Sequence, residues 1–329
     1  MKIPLSVLDL APIGTGFTST QALNSTIQLA QLAEKLGYTR FWLAEHHGMP
    51  GIASSSPEVL IARVAAATQR IRVGAGGIML PNHAPLRVAE AFHTLEALYP
   101  GRIDLGIGRA PGTDPATSQA LRPFDAAQFP AQLRELISLS LEDFPEDHPF
   151  HGVKVVPNDV ELPPVWILGS SGASARFAGA MGLGYGFASH FSPVSPVPAL
   201  NAYREAFSPS RWFEKPHVIL AVAVVCAETE EEAEYHARSM DLIAVRLARG
   251  QFGLFPTPEE AEAYPYTPAD LAVVRERRSL LIVGDPQRVR ARLLAVAEET
   301  GADELMISTM VHDPGARLRS YELVAEALS

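Results

Sequence analysis

The 329-residue chain has one cysteine, Cys226, so a disulfide framework is excluded. Cys226 lies inside the apolar run 218–227, where a thiol reads as a buried, inert side chain. No apolar run approaches the roughly eighteen residues of a membrane span. The start Met1-Lys2-Ile3-Pro4 leads into too short an apolar stretch for a signal peptide, so a soluble cytoplasmic protein is expected. Clustered Lys and Arg are also missing. With a formal net charge of −10, the chain lacks the basic footprint that nucleic acid or an anionic membrane requires, which leaves a small molecule as the expected partner. No Gly-x-Gly-x-x-Gly opens a βαβ unit, which argues against a tightly held nicotinamide.

With 47% hydrophobic and 19% charged residues the chain can bury a large core, and a barrel of this length commonly forms one domain, here 1–329. Strand-like runs recur at 3–10, 39–45, 71–80, 102–108, 165–169, 185–189, 217–227 and 304–309. Helical patterns lie between them. The segment 20–36 carries the stripe Leu23, Ile27, Leu29, Ala30 and Ala33 and is stopped by Gly37. Ser56-Pro57-Glu58 opens a second helix ending near 68, residues 86–98 form a third, and 173–181 and 317–328 follow later. Eight alternating units with no composition break predict an α/β fold, a closed (β/α)8 barrel, rather than a doubly wound sheet. Insertions interrupt the repeat after strands four and seven. Residues 145–164 read as a loop or hairpin around the apolar fragment 153–156, and the polar, proline-punctuated 250–278 as an active-site cover or a surface loop.

The second strand ends in Glu45, His46 and His47, at the end of a barrel strand where active sites are built. Alone, the trio fits metal ligation, polar support or proton transfer. A metal-dependent hydrolase could use it, but the first strand ends Leu8-Asp9-Leu10-Ala11 without a His-x-His pair. His46 is the residue expected to move a proton, with Glu45 orienting or balancing it and His47 steadying the loop. Asp104, Gly106 and Gly108 share one strand face, and the two glycines leave room for a flat ring. Arg109 follows, suited to a phosphate or to an ordinary surface ion pair. Gly169-Ser170-Ser171-Gly172 opens a helix, and so offers either an anion site or a plain N-cap. Gly76-Gly77 lets backbone approach a ring, or makes a bulge. His190 is a candidate pocket residue and His83 a weaker one, each with a capping or surface role as the alternative.

Four strand ends, taken together, carry a resemblance that covers nearly the whole chain. Phe41-Trp-Leu-Ala-Glu-His-His47, Gly74-Ala-Gly-Gly-Ile-Met-Leu-Pro-Asn-His-Ala-Pro85, Pro100-Gly-Arg-Ile-Asp-Leu-Gly-Ile-Gly-Arg-Ala-Pro-Gly112 and Trp166-Ile-Leu-Gly-Ser-Ser-Gly172 resemble, in order and spacing, the bacterial luciferase-like flavin-dependent monooxygenases. Val283-Gly-Asp-Pro286 and its following helix extend the match. The resemblance implies a barrel that binds reduced FMN, supplied by a separate flavin reductase, and reacts with dioxygen to oxygenate a small organic substrate. It also implies Arg109 on the FMN phosphate, help from the loop at Ser170 and Ser171, flavin chemistry assisted by His46, and a non-proline cis peptide at Gly76-Gly77. Gly108 stands where light-emitting members have cysteine, which argues against luminescence. A deazaflavin cofactor and a non-catalytic flavin-binding role stay open. Residues 59–67, apolar around much of the helix, with Val88, Ala89, Ala91, Phe92, Leu95 and Leu98 on the next, predict a homodimer through the second and third helices, the pair such enzymes use.

Overall fold

The structure is a computed structural model that describes residues 3–122 and 125–329. Each barrel strand feeds one or more helices. β1 (Leu5–Asp9) leads to α1 (Ser19–Leu36), β2 (Arg40–Leu43) to α2 (Pro57–Ala67) and β3 (Arg72–Met79) to α3 (Pro85–Leu98). β4 (Ile103–Gly108) precedes α4 (Pro115–Leu121) and α5 (Phe129–Leu141); β5 (Val165–Gly169) precedes α6 (Gly172–Ala180), and β6 (Gly184–Ala188) precedes α7 (Val197–Ala206). After β7 (Val218–Cys226) come α8 (Glu230–Ala248), α9 (Pro258–Glu262), α10 (Pro268–Arg278), β8 (Leu281–Gly284), α11 (Pro286–Thr300), β9 (Glu304–Ser308) and α12 (Pro314–Leu328). β1 to β7 pair in order and in parallel, and β9 joins β7 to β1, closing a (β/α)8 barrel.

Local signals set the helix ends. Thr18 caps α1 in a reciprocal capping box with Gln21, and Gly37 ends it at φ 80°, a left-handed conformation that glycine adopts without a Cβ penalty. The two insertions have more definite shapes than the sequence predicts. Residues 250–278 hold α9 and α10, each opened by a threonine cap followed by proline. Residues 145–164 contain neither helix nor strand, so the hairpin alternative falls; Val155 is buried there against the core. β8 is a ninth strand beyond the eight expected. It pairs with Ala223–Cys226, the end of β7 that runs past its pairing with β6 and overlaps its pairing with β9 only at Ala223, and four residues are too few to show a period-two pattern.

Alternation along the strands decides which side chains face the barrel interior. Val7, Phe41 and Leu43 pack outward under the helices, while Leu8, Trp42, Ala44, Trp166, Ile219 and Met306 point in. One layer nearer the strands' N-terminal ends, the interior is charged. Arg40 donates to Asp104 at 2.8 Å and to both oxygens of Glu304 at 2.7 and 2.9 Å. Arg72 and Trp42 also donate to Asp104, and Ser6 to Glu304. Burial would raise the Glu304 carboxyl, but His217, Arg40 and Ser6 hold it down at about 2. This paired layer closes the lower barrel, so the open space lies at the other end.

Candidate active site

A cavity of about 1110 Å³ opens at the C-terminal ends of the strands, floored by Leu8, Trp42, Gly76, Leu168, Ile219 and Met306. Single-ligand pockets run to about 1,000 Å³, so this one has room for a cofactor and a second molecule. Its roof comes from the segment after β7, through Met240, Ile243, Ala244 and Leu247 of α8 and, from the insertion itself, Phe252 and Arg277.

His46 lines this cavity because it continues the inward phase of Trp42 and Ala44. Its Nδ1 lies 3.1 Å from the Gly112 carbonyl, a contact that requires a proton on Nδ1 and leaves Nε2 with a free lone pair. Burial, seconded by the charge of His47, lowers the imidazole below its ordinary value against the opposing pull of Gly112 and Glu45. His190 also borders the cavity, and its Nδ1 has no hydrogen-bond partner. Burial brings this imidazole down to about 4, with His46 adding to the effect. Both rings are therefore neutral near pH 7.

Glu45 does not reach the cavity. The same alternation turns it outward, fully buried, where its Oε1 accepts from Nε2 of His47 at 2.8 Å and of His83 at 2.9 Å, and its Oε2 from the Met79 N–H at 2.9 Å. Of the two expected roles, Glu45 makes no bond that orients His46, its bonded partners being His47 and His83, while its charge still acts on the His46 imidazole. Burial opposes ionisation, but the bonds from His83, His47 and Met79 outweigh it and lower the carboxyl. Burial alone would lower His83, and the bond and charge of Glu45 raise it instead. Glu45 thus knots the ends of β2 and β3, with Asn82 extending the knot to Pro111 after β4.

Gly108, Arg109, Gly169, Ser170 and Ser171 all border the cavity. Arg109 is exposed and forms no ion pair among the described residues. Ser171 is the N-cap of α6, accepting from the Ser174 N–H at 3.5 Å, and Ser170 borders the cavity beside the helix start. Ser174, not singled out in the sequence, also borders the cavity; it lies one turn into α6 on the face of Ser171, a legible i,i+3 signal. The Gly76-Gly77 peptide is cis, and the β3–β4 register shifts between Ala75 and Ile78, so the cis peptide and the bulge coincide. Of the pair, Gly76 borders the cavity, whereas a Cβ on Gly77 would fall 2.7 Å from the Gly106 carbonyl oxygen.

The room expected at Gly106 and Gly108 is already filled. A Cβ on Gly106 would meet the Ala75 carbonyl oxygen at 2.1 Å, and one on Gly108 the Met79 sulfur at 2.7 Å. Gly106 thus lets the bulged β3 lie against β4, whereas at Gly108, which borders the cavity, it is the end of the Met79 side chain that stands in the space. Asp104, on the same face, is bound to Arg40 and Arg72 below the cavity floor. Cys226 is buried, with its thiol pushed up to about 12 chiefly by burial. Among the described residues no group of three or more His, Cys, Asp or Glu could hold a metal ion, and no helix is long and apolar enough to cross a membrane. On α3, Val88, Ala89, Phe92 and Leu95 belong to the core, so the exposed large apolar side chains on this helix pair are Leu98 of α3, 61% exposed, and Val59 of α2, 64% exposed.

A closed (β/α)8 barrel with a cofactor-sized cavity at its C-terminal mouth, two neutral histidines and an arginine without an ion pair among the described residues defines a cofactor-dependent barrel enzyme. The family model of the luciferase-like monooxygenases matches residues 3–304, and the chain belongs to that family. A luciferase-like monooxygenase of Escherichia coli (strain K12) is 44% identical over 327 residues, covering 98% of this chain and 96% of the relative. An N-acetyl-S-alkylcysteine monooxygenase of Bacillus subtilis (strain 168) is 36% identical over 334 residues, covering 99% and 98%. The crystal structure of apo-MsnO8 superposes with a TM-score of 0.90 at 41% identity, covering 99% of this chain and 97% of that one.

Proposed function

We propose that the chain, acting as one unit, binds reduced FMN in this cavity and uses it with dioxygen to transfer one oxygen atom to a small, mostly apolar organic substrate. The observation that carries this reading is that Arg109, without an ion pair among the described residues, and the start of α6 follow the neighbouring strands β4 and β5 and border one cavity with the neutral His46. A guanidinium, the Ser170 hydroxyl and the first N–H groups of a helix suit a phosphate. Gly76 offers backbone without a side chain against a ring, and His190 an uncharged imidazole. Bound reduced flavin would supply the activation of dioxygen. His46 accepts and returns the proton at Nε2, while Gly112 keeps its other nitrogen protonated. Glu45 is a positioning residue, holding the strand ends that carry His46 and Gly76. The apolar walls exclude water from the reacting atoms.

Lacking a dinucleotide fingerprint, the chain takes its reduced flavin from a separate reductase. Gly108 favours a reaction without light emission. The name of the Bacillus subtilis relative supports an alkyl thioether as one substrate class to try. A homodimer is placed on the exposed Val59 and Leu98 of α2 and α3. The test measures binding of reduced FMN and reduced deazaflavin side by side, then product from a thioether panel with a flavin reductase present. Tighter deazaflavin binding overturns the cofactor assignment; FMN binding without any product makes the protein a flavin carrier.

A further inference from the structure

Resting on the flavin reading above, we propose that Arg277 receives the anionic end of the substrate, so that the molecule oxygenated is an apolar body bearing one carboxylate. Three charged side chains of the roof border the cavity: Asp241 of α8 and Arg277 and Arg278 of α10. Two of them cancel. Arg278 grips Asp241 through Nε and Nη2 at 2.6 and 2.8 Å and reaches Glu234 through Nη1 at 2.9 Å, so its charge is matched twice over. Arg277 has no carboxylate partner among the described residues. Its Nη1 donates to the Phe191 carbonyl at 3.4 Å, a long contact that leaves the rest of the guanidinium fork free.

In a chain of net charge −10, a second uncancelled cation, apart from Arg109, bordering a largely apolar chamber is a selective feature, because a bare ammonium or a neutral ligand gains nothing from it. The helix dipole does not account for it. Arg275 and Arg278 share the last turn of α10, where any cation would serve, and Arg275 does not border the cavity. Bordering the same cavity stand three large apolar side chains that are about half exposed: Phe191, 52%, Leu247, 43%, and Phe252, 42%. An apolar body seated against them would remove that surface from water while its carboxylate meets Arg277. The two free arginines belong to different elements, a loop and helix α10. Arg109 follows β4, whereas Arg277 is tied to the segment after β6, so a phosphate and a carboxylate can be held at once.

Calorimetric binding to the FMN-loaded protein tests this with matched pairs of acids and their primary amides: (benzylthio)acetate, phenylbutyrate and decanoate. Wild type should bind at least one acid about ten-fold or more tightly than its amide, the low end for a charge-assisted contact on a solvent-reached side chain. Arg277→Gln should bring acid and amide within about three-fold, Arg277→Lys should keep part of the preference, and FMN affinity should be unchanged in both. Amides that bind as well as acids, or failure of every pair to bind, overturns the proposal. A preference that survives Arg277→Gln does so too. If Arg277→Gln instead weakens FMN but not riboflavin, Arg277 is a phosphate ligand and the substrate assignment fails. Failure of the flavin reading itself shows separately, as wild type that does not bind FMN.

Discussion

Arg109→Ala separates a phosphate contact from a structural role, because the side chain has nothing to lose in the free protein. It is exposed and makes no ion pair among the described residues, so truncation should shift folding stability by no more than about 0.5 kcal/mol. A charge-assisted hydrogen bond to phosphate contributes about 1.5 to 3 kcal/mol. The rim position, open to solvent and screened by salt, places Arg109 at the lower figure, so FMN should bind about ten-fold more weakly. Riboflavin has no phosphate and should change less than about two-fold, since Arg109 holds no ion pair among the described residues that its loss would disturb. Anaerobic titration of reduced flavin can be followed through quenching of Trp42, which forms part of the cavity floor. The gap between FMN and riboflavin should also narrow as ionic strength rises. Equal losses for the two ligands, or no loss for FMN, would refute the reasoning.

His46→Ala should cut turnover by about 100-fold with FMN affinity within a few-fold, since proton transfer acts on the barrier rather than on binding; parallel collapse of both would mean a structural role. In wild type, the lowered His46 value predicts that turnover holds on descending through pH 6.5 and falls only below it. Stability should follow the Glu45–His83 pair: the depressed Glu45 contributes above about 4.5 and loses this as pH drops through its folded value, while the raised His83 contributes below about 6.5 and loses this as pH climbs through its folded value. Urea unfolding across pH should therefore show the pair's share at its fullest between those limits, and His83→Gln should flatten the alkaline side. Arg40→Met leaves two buried carboxylates short of a partner and should cost about 3 kcal/mol, the low end because Arg72 and His217 remain; a loss below about 1 kcal/mol counts against the layer's importance. Sedimentation at micromolar concentration should show a dimer that Val59→Glu and Ala66→Glu dissolve, and a monomeric wild type rules out this interface.

By itself, the sequence determined the alternation of strands and helices, hence the barrel, and it marked the strand ends where the cavity opens. Those signals are local: period-two and period-3.6 patterns, a threonine before a proline, a glycine after Leu36. The outward turn of Glu45 beside an inward His46 was also implicit in that period, since Trp42, Ala44 and His46 share a phase that Glu45 does not. What fills each space was not. Gly106 and Gly108 read as openings, yet the bulge in β3 puts the Ala75 carbonyl and Met79 there. The apolar face of α3 read as surplus, yet it is spent on the core. Ser6 and Glu304 stand 298 positions apart and meet in one buried layer with Arg40 and Asp104; the matching of Arg278 by Asp241, which leaves Arg277 free, likewise joins separate helices. Such pairings follow from barrel closure and register, which bring together side chains whose separation along the chain carries no periodic trace, so only the tertiary structure could decide them.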